Sequence, residues 1–243
     1  MTQLVRLINF KIASSITGIN YFKGGNLATV INRKLIEDDI IRPKLKVLIY
    51  PILQFFDFAL PSYQEFMSQR ILGNIDNENF KNFIHYFTGF EVDDTILENG
   101  HSTALDKESV LSTYVDKSLI PEEFTQNKQF IKPISQQLNS TIDSNLKKMI
   151  LHPDISPLLV PDSTFQAYSA SYTYVLTVGN DILRDDGLIY VKRLNNLKLN
   201  VKHDHYENLF HGIFGLLNGP LKFDLSHYLM KNVSDHIRHV LAL

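Results

Sequence analysis

No cysteine occurs anywhere in the chain, which removes disulfides, thiol catalysis and thiolate metal sites together and says nothing of redox compartment. Charge of either sign is not in excess: 24 Lys and Arg stand against 26 Asp and Glu, a formal net charge of −2. That balance gives no electrostatic drive towards nucleic acid or an anionic membrane surface. No apolar run approaches the roughly 20 residues that span a bilayer, and the first residues lack the pattern of a signal peptide. What remains is a chain of 243 residues, 44% hydrophobic and 21% charged. It is long enough to bury a real core, and one domain with an insertion suits it better than two.

The informative stretch is residues 172 to 212. From Tyr172 to Val178 the residues are β-branched, aromatic or apolar, and Gly179 follows. That is the composition of a strand covered on both faces, and it leaves Asp181 just past the strand's carboxyl end. Asp185, Asp186 and Gly187 then open a helical spacing of Leu188, Val191 and Leu194, with the acids in the first turn where the helix dipole favours them. Beyond Asn195-Asn196, the residues Leu199, Val201 and His203 alternate as in a strand. A polar turn at 207 to 208 is expected before Phe210, His211 and Gly212, so His211 also leaves a strand at its far end. In an open parallel sheet functional groups collect at the carboxyl ends of the strands. An acid that fixes a histidine's tautomer is half of a nucleophilic triad. Read without more, the pairing is weak, and a helix cap at Asp181 with a loop position at His211 suits the residues better.

Two separated motifs carry a resemblance: Asp181-Ile182-Leu183-Arg184-Asp185-Asp186-Gly187-Leu188, and Glu207-Asn208-Leu209-Phe210-His211-Gly212. Their order and distance resemble the arylacetamide deacetylase-like branch of the hormone-sensitive-lipase group of α/β-hydrolases, which carries D-x-L-R-D-D-G-L and then D/E-x-x-F/I-H-G. The likeness extends to Leu48-Ile49-Tyr50-Pro51, Pro61-Ser62-Tyr63-Gln64-Glu65 and Ser156-Pro157-Leu158-Leu159, and so covers nearly everything after Lys23. The resemblance implies an α/β-hydrolase fold with a helical cap insertion, and hydrolysis of carboxylic esters and arylacetamides. Asp181 would be the orienting acid and His211 the general base.

The family's nucleophile elbow reads G-D-S-A/S-G-G-N-L-A. Here the chain has Asn20-Tyr21-Phe22-Lys23-Gly24-Gly25-Asn26-Leu27-Ala28. Phe22 stands where the serine belongs, and a phenyl ring has no nucleophilic atom. Lys23 still offers a backbone N–H to an oxyanion, but the H-G-G-G loop that supplies the family's other donors does not occur in this sequence. Ser14 and Ser15 lack flanking glycines and make poor substitutes. The expectation is therefore a fold truncated at the N-terminus and inactive as it stands. The alternative is a pseudoenzyme that binds lipid-like or acyl ligands, or a partner chain.

The remaining expectations follow the chain. Residues 12 to 19 read as a strand, which would be an edge open to self-association. A helix is expected from Gly24 to about Ile36, and Lys44 to Leu53 reads as a buried strand stopped by Pro51. Residues 1–63 are assigned to elbow and sheet, 64–150 to a helical cap with Phe80, Phe83, Ile84 and Phe87 on one face and Leu138, Ile142 and Leu146 on another. Residues 151–243 hold the acid and the histidine and end in a helix with Leu225, Leu229, Val233 and Ile237 on one side. His203 and His205 share one face of a strand, a spacing that metals use. The family has a similar H-x-H without being a metalloenzyme group, so the resemblance implies no metal and no cofactor. It also implies a small-molecule ester or amide as substrate. The family sits in the endoplasmic reticulum by an N-terminal membrane anchor, which this chain does not show. Asn139 and Asn232 fit the glycosylation sequon, which matters only in that compartment.

Overall fold

The computed structural model describes residues 21–66, 75–97, 106, 109–125 and 143–242, the side chains of residues 21–23 and 95 excepted. Three strands, β1 (Lys46–Ile49), β2 (Thr173–Asn180) and β3 (Val201–Phe210), form one parallel sheet in the order β1-β2-β3. Every residue of β1 is buried, as is β2 through Gly179. Their near-continuous apolar sequences suit a parallel sheet clad on both faces.

Helix α1 (Tyr21–Glu37) packs on β1. Between β1 and β2 come α2 (Pro61–Phe66), α3 (Asn77–Thr88), α4 (Asp94–Leu97), α5 (Val110–Thr113), two 3-10 turns (Lys117–Leu119 and Glu122–Phe124), α6 (Ser144–Ile150) and α7 (Asp162–Tyr168). Helix α8 (Arg184–Asn196) connects β2 to β3 and packs on β2, and α9 (Asp224–Leu241) closes the chain against a 3-10 segment, Ile213–Leu216. Among the described residues no helix is long and apolar enough to cross a membrane.

Helix α3 has the local signals it needs: Asp76 accepts from Asn79 N at 2.8 Å, and Gly89 ends it at φ 76°. Its buried face is Phe80, Phe83 and Ile84, with Phe87 partly buried. Phe80 meets Phe58 edge-on at 5.1 Å and Tyr63 at 5.7 Å, so the helix shares the aromatic cluster that follows β1. In α9, Leu229 and Val233 are buried and Leu225 and Ile237 pack beside them. Leu146 is buried in α6, whereas Leu138 and Ile142 lie outside the described residues.

Three boundaries differ from the sequence reading. The first strand is four residues rather than ten, because Tyr50 turns out of the sheet at φ 35° and Pro51 has no N–H to donate. Helix α1 begins at Tyr21, ahead of its glycines, so the elbow position lies within its first turn. Residues 207 to 208 are not a turn: β3 runs through them to Phe210. The strand expected at 12 to 19 lies outside the described residues.

Candidate active site

The site is built where β2 and β3 end. Val178 pairs with Tyr206, but Asn180 pairs with Phe210, so β3 bulges between them. The bulge lays the Glu207 backbone over Gly179, where an added Cβ would come within 1.9 Å of the Glu207 carbonyl oxygen. Only glycine fits that approach. Beyond the bulge, Asn180 Nδ2 donates to Leu209 O at 3.2 Å and His211 N donates to Asn180 O at 3.4 Å.

The polar "turn" of the sequence reading is thus a device that carries His211 round to Asp181. The two meet: His211 Nδ1 lies 2.9 Å from Asp181 Oδ1, with Asp181 wholly buried and His211 nearly so. Leu183 N donates to that oxygen at 2.8 Å, which holds the carboxylate in place. A carboxylate at Nδ1 keeps the proton of a neutral imidazole on that nitrogen, leaving Nε2 as the basic one. The arrangement can therefore accept a proton at Nε2 and stabilise the imidazolium that forms.

Asp185 and Asp186 do more than complement a helix dipole. Both are fully buried. Asp186 accepts from Leu53 N at 2.8 Å, Gln54 N at 3.2 Å and Gln54 Nε2 at 3.1 Å. Asp185 accepts from Ser62 N at 2.7 Å and Arg184 Nε at 3.0 Å, and Ser62 Oγ donates to Ile182 O at 2.8 Å. The acid pair thereby ties α8 to the loop that follows β1. Sequence periodicity does not reveal this, although Gln54 and Ser62 within an apolar run are its partners in plain view.

Burial holds the Asp186 carboxyl up to about 7, outweighing the backbone and Gln54 hydrogen bonds that pull it down. Burial likewise raises Asp185, against the neighbouring Arg184.

The pair His203 and His205 meets one hydroxyl: Thr177 Oγ1 is 2.7 Å from His203 Nε2 and 2.8 Å from His205 Nδ1, and His205 Nε2 is 2.9 Å from Glu207 Oε2. Burial pulls the His203 imidazole down to about 4, with His205 adding to the effect. These shifts oppose one another in stability. The folded state keeps a proton on Asp186 that the unfolded chain releases above pH 4, so raising the pH from about 4 to 7 costs stability. It refuses a proton on His203 that the unfolded chain binds below about 6.5, so over pH 4 to 6.5 stability rises. Asp186→Asn should therefore unmask the rise: the gain in unfolding free energy from pH 4.5 to 6.5 should exceed the wild-type gain by roughly 2 to 3 kcal/mol. Urea melts at the two pH values measure it, and identical pH profiles would discount the burial account.

Phe22 and Lys23 lie in the first turn of α1, where backbone N–H groups have no acceptor inside the helix. The side chain of Phe22, which the sequence sets in the serine's position, lies outside the described residues. The next turn of α1 is close by, since a Cβ on Gly25 would fall 2.6 Å from Pro51 Cβ, and Pro51 adjoins Tyr50. The Tyr50 ring is 4.5 Å from that of His211. Sequence reasoning missed Tyr50. Its signs were its place in the Leu48-Ile49-Tyr50-Pro51 motif and a large polar aromatic set between a strand and a proline.

No family model matches the chain. Curated relatives do. Neutral cholesterol ester hydrolase 1 of Rattus norvegicus is 34% identical over 208 residues, covering 83% of this chain and 49% of the relative. Arylacetamide deacetylase of Bos taurus is 38% identical over 200 residues, covering 80% and 47%. The chain thus spans about half the length of the curated relatives it matches. Among solved structures, carboxyl esterase 2 from Tuber melanosporum superposes with a TM-score of 0.52 at 15% identity, over 85% of this chain and 49% of that one. A likeness at that identity speaks for the fold alone, and the fold is that of an α/β-hydrolase.

Proposed function

We propose that this chain, which belongs with the arylacetamide deacetylases and neutral cholesterol ester hydrolases and has the α/β-hydrolase fold, supplies the acid and the base of a serine-hydrolase triad. The observation that carries the reading is the buried contact of 2.9 Å between Asp181 and His211 at the carboxyl ends of adjacent parallel strands. In the reaction His211 Nε2 takes the proton of a serine hydroxyl as it attacks the carbonyl of a carboxylic ester or amide. It then returns the proton to the departing alcohol or amine. Asp181 keeps the imidazole turned so that Nε2 faces the nucleophile. Residues 64–150 act as the cap, a role that the packing of Phe80 on Phe55 and Phe58 supports by fastening that segment to the loop after β1. The endoplasmic reticulum is the compartment that goes with this reading.

On the same reading Phe22 occupies the nucleophile position, and the chain by itself does not turn over ester. Purified as it is, it should hydrolyse a short aryl acetate no faster than its His211→Ala variant. Phe22→Ser should restore little, because each missing oxyanion donor costs about 100- to 1000-fold. Rates in Phe22→Ser that match a competent esterase would overturn this part of the proposal. Self-association through an exposed sheet edge, expected at residues 12 to 19, belongs to it too. A concentration-independent monomer in sedimentation would count against that.

The positive test joins residues 24–243 to the portion of bovine arylacetamide deacetylase that this chain does not match. The joined protein should hydrolyse aryl esters. A folded joined protein without turnover would remove the reading.

A further inference from the structure

Tyr50 follows β1 directly, is fully buried, and has φ 35°. A side chain with a Cβ seldom adopts that region. A residue before proline is ordinarily extended, which makes the conformation more unusual still. Two contacts hold it in place. Tyr50 N donates to Leu176 O on β2 at 2.7 Å, and the following Pro51 is wedged against α1 at Gly25, leaving no room there for a side chain. The backbone is thus pinned on both sides of the strained residue.

What the strain delivers is a ring. The Tyr50 ring lies 4.5 Å from the imidazole of His211, inclined at 53°, and Phe214 backs it at 6.0 Å, inclined at 29°. The imidazole of His211 therefore has Asp181 at its Nδ1 and an aromatic ring against it. An imidazole held only by one carboxylate can still rotate about χ1 and χ2. Adding an aromatic neighbour removes that freedom by occupying the volume into which the ring would swing.

We propose that Tyr50 is a positioning residue for His211: its ring confines the imidazole to the rotamer in which Nδ1 faces Asp181, and the left-handed backbone at Tyr50 is what brings the ring there. The proposal rests on the acid and histidine reading above and names a third residue for the same site. The phenyl ring, not the hydroxyl, does the positioning, so phenylalanine replaces tyrosine without loss while leucine does not.

The experiment follows the Nδ1-bound proton of His211 by NMR in the 15N-histidine-labelled chain. Wild type and Tyr50→Phe should exchange that proton with water at the same slow rate. Tyr50→Leu should exchange it roughly 3- to 10-fold faster, the factor that an aromatic pair's contribution converts to. The His203 and His205 signals should not move in either variant. If His211 in Tyr50→Leu exchanges as in wild type, the positioning proposal fails while the acid and histidine reading stands. Asp181→Ala tests that reading separately. It should abolish the carboxylate-bonded signal in every background, and its persistence would remove the reading whatever Tyr50 does. Should Tyr50→Leu not fold, wild type still decides: the proposal requires cross-relaxation between the Tyr50 and His211 ring protons, and its absence overturns it.

Discussion

In the joined hydrolase, Asp181→Ala should lower kcat for an aryl ester by about 10⁴-fold. Alanine removes the carboxylate that faces Nδ1, so the proton is no longer held on that nitrogen, Nε2 is no longer kept as the basic one, and the imidazolium that forms loses its counter-ion. Because position 181 is wholly buried, no other acceptor can step in. The loss corresponds to about 5 kcal/mol of transition-state stabilisation. His211→Ala should cost a similar factor, and the double variant little more than either alone, since the pair acts as one unit. Steady-state kinetics of the four proteins measure this. Additive losses would mean that Asp181 and His211 serve the reaction separately.

The second large effect is on stability. Gly179→Ala would put a methyl group 1.9 Å from the Glu207 carbonyl oxygen, 2.7 Å from its carbon and 2.9 Å from its Cα. All three are backbone atoms, so no rotamer change relieves the clash and β3 itself must move. Moving it disrupts the hydrogen bonds from Asn180 Nδ2 to Leu209 O and from His211 N to Asn180 O. A cost of about 3 kcal/mol or more is expected, in the range of severe overpacking. Two glycines calibrate it. Gly187→Ala meets a side-chain atom, Thr177 Cγ2, at 2.5 Å and should cost less. Gly24 has nothing within 4 Å and lies in α1, so Gly24→Ala should stabilise by up to about 1 kcal/mol. Urea midpoints for the three variants should fall in that order. A Gly179→Ala protein as stable as Gly24→Ala would refute the bulge as a fixed close contact.

Local patterns in the chain were legible where one element decides its own form. The apolar run of β2, the spacing of α8 and the faces of α3 and α9 follow from periodicity, whereas the pairing of Asp181 with His211 comes from the two motifs that carry the resemblance. Features that depend on distant partners were not. Glu207-Asn208 looks like a turn because it is polar, yet its backbone is held over Gly179 by pairing on both sides of the bulge. Asp185 and Asp186 look like acids of a first helical turn, yet their partners Leu53, Gln54 and Ser62 lie over a hundred positions away. Tyr50 leaves its strand with its own N–H held by Leu176 and with Pro51 packed on Gly25, and no window around residue 50 contains either partner.

The sheet's wiring also sets an order of assembly. Thr177 and His203 are 26 positions apart, whereas Leu53 and Asp186 are separated by 133. Closing the longer loop costs more chain entropy before any contact rewards it. The β2-α8-β3 unit can therefore nucleate from local contacts, with Asp181 and His211 brought together inside it, while β1 and the loop to Tyr63 dock afterwards. On that sequence of events the bonds from Leu53 and Gln54 to Asp186 form late. They act on the unfolding rate rather than the folding rate, and make the acid pair at the start of α8 the latch that sets how long the assembled sheet persists.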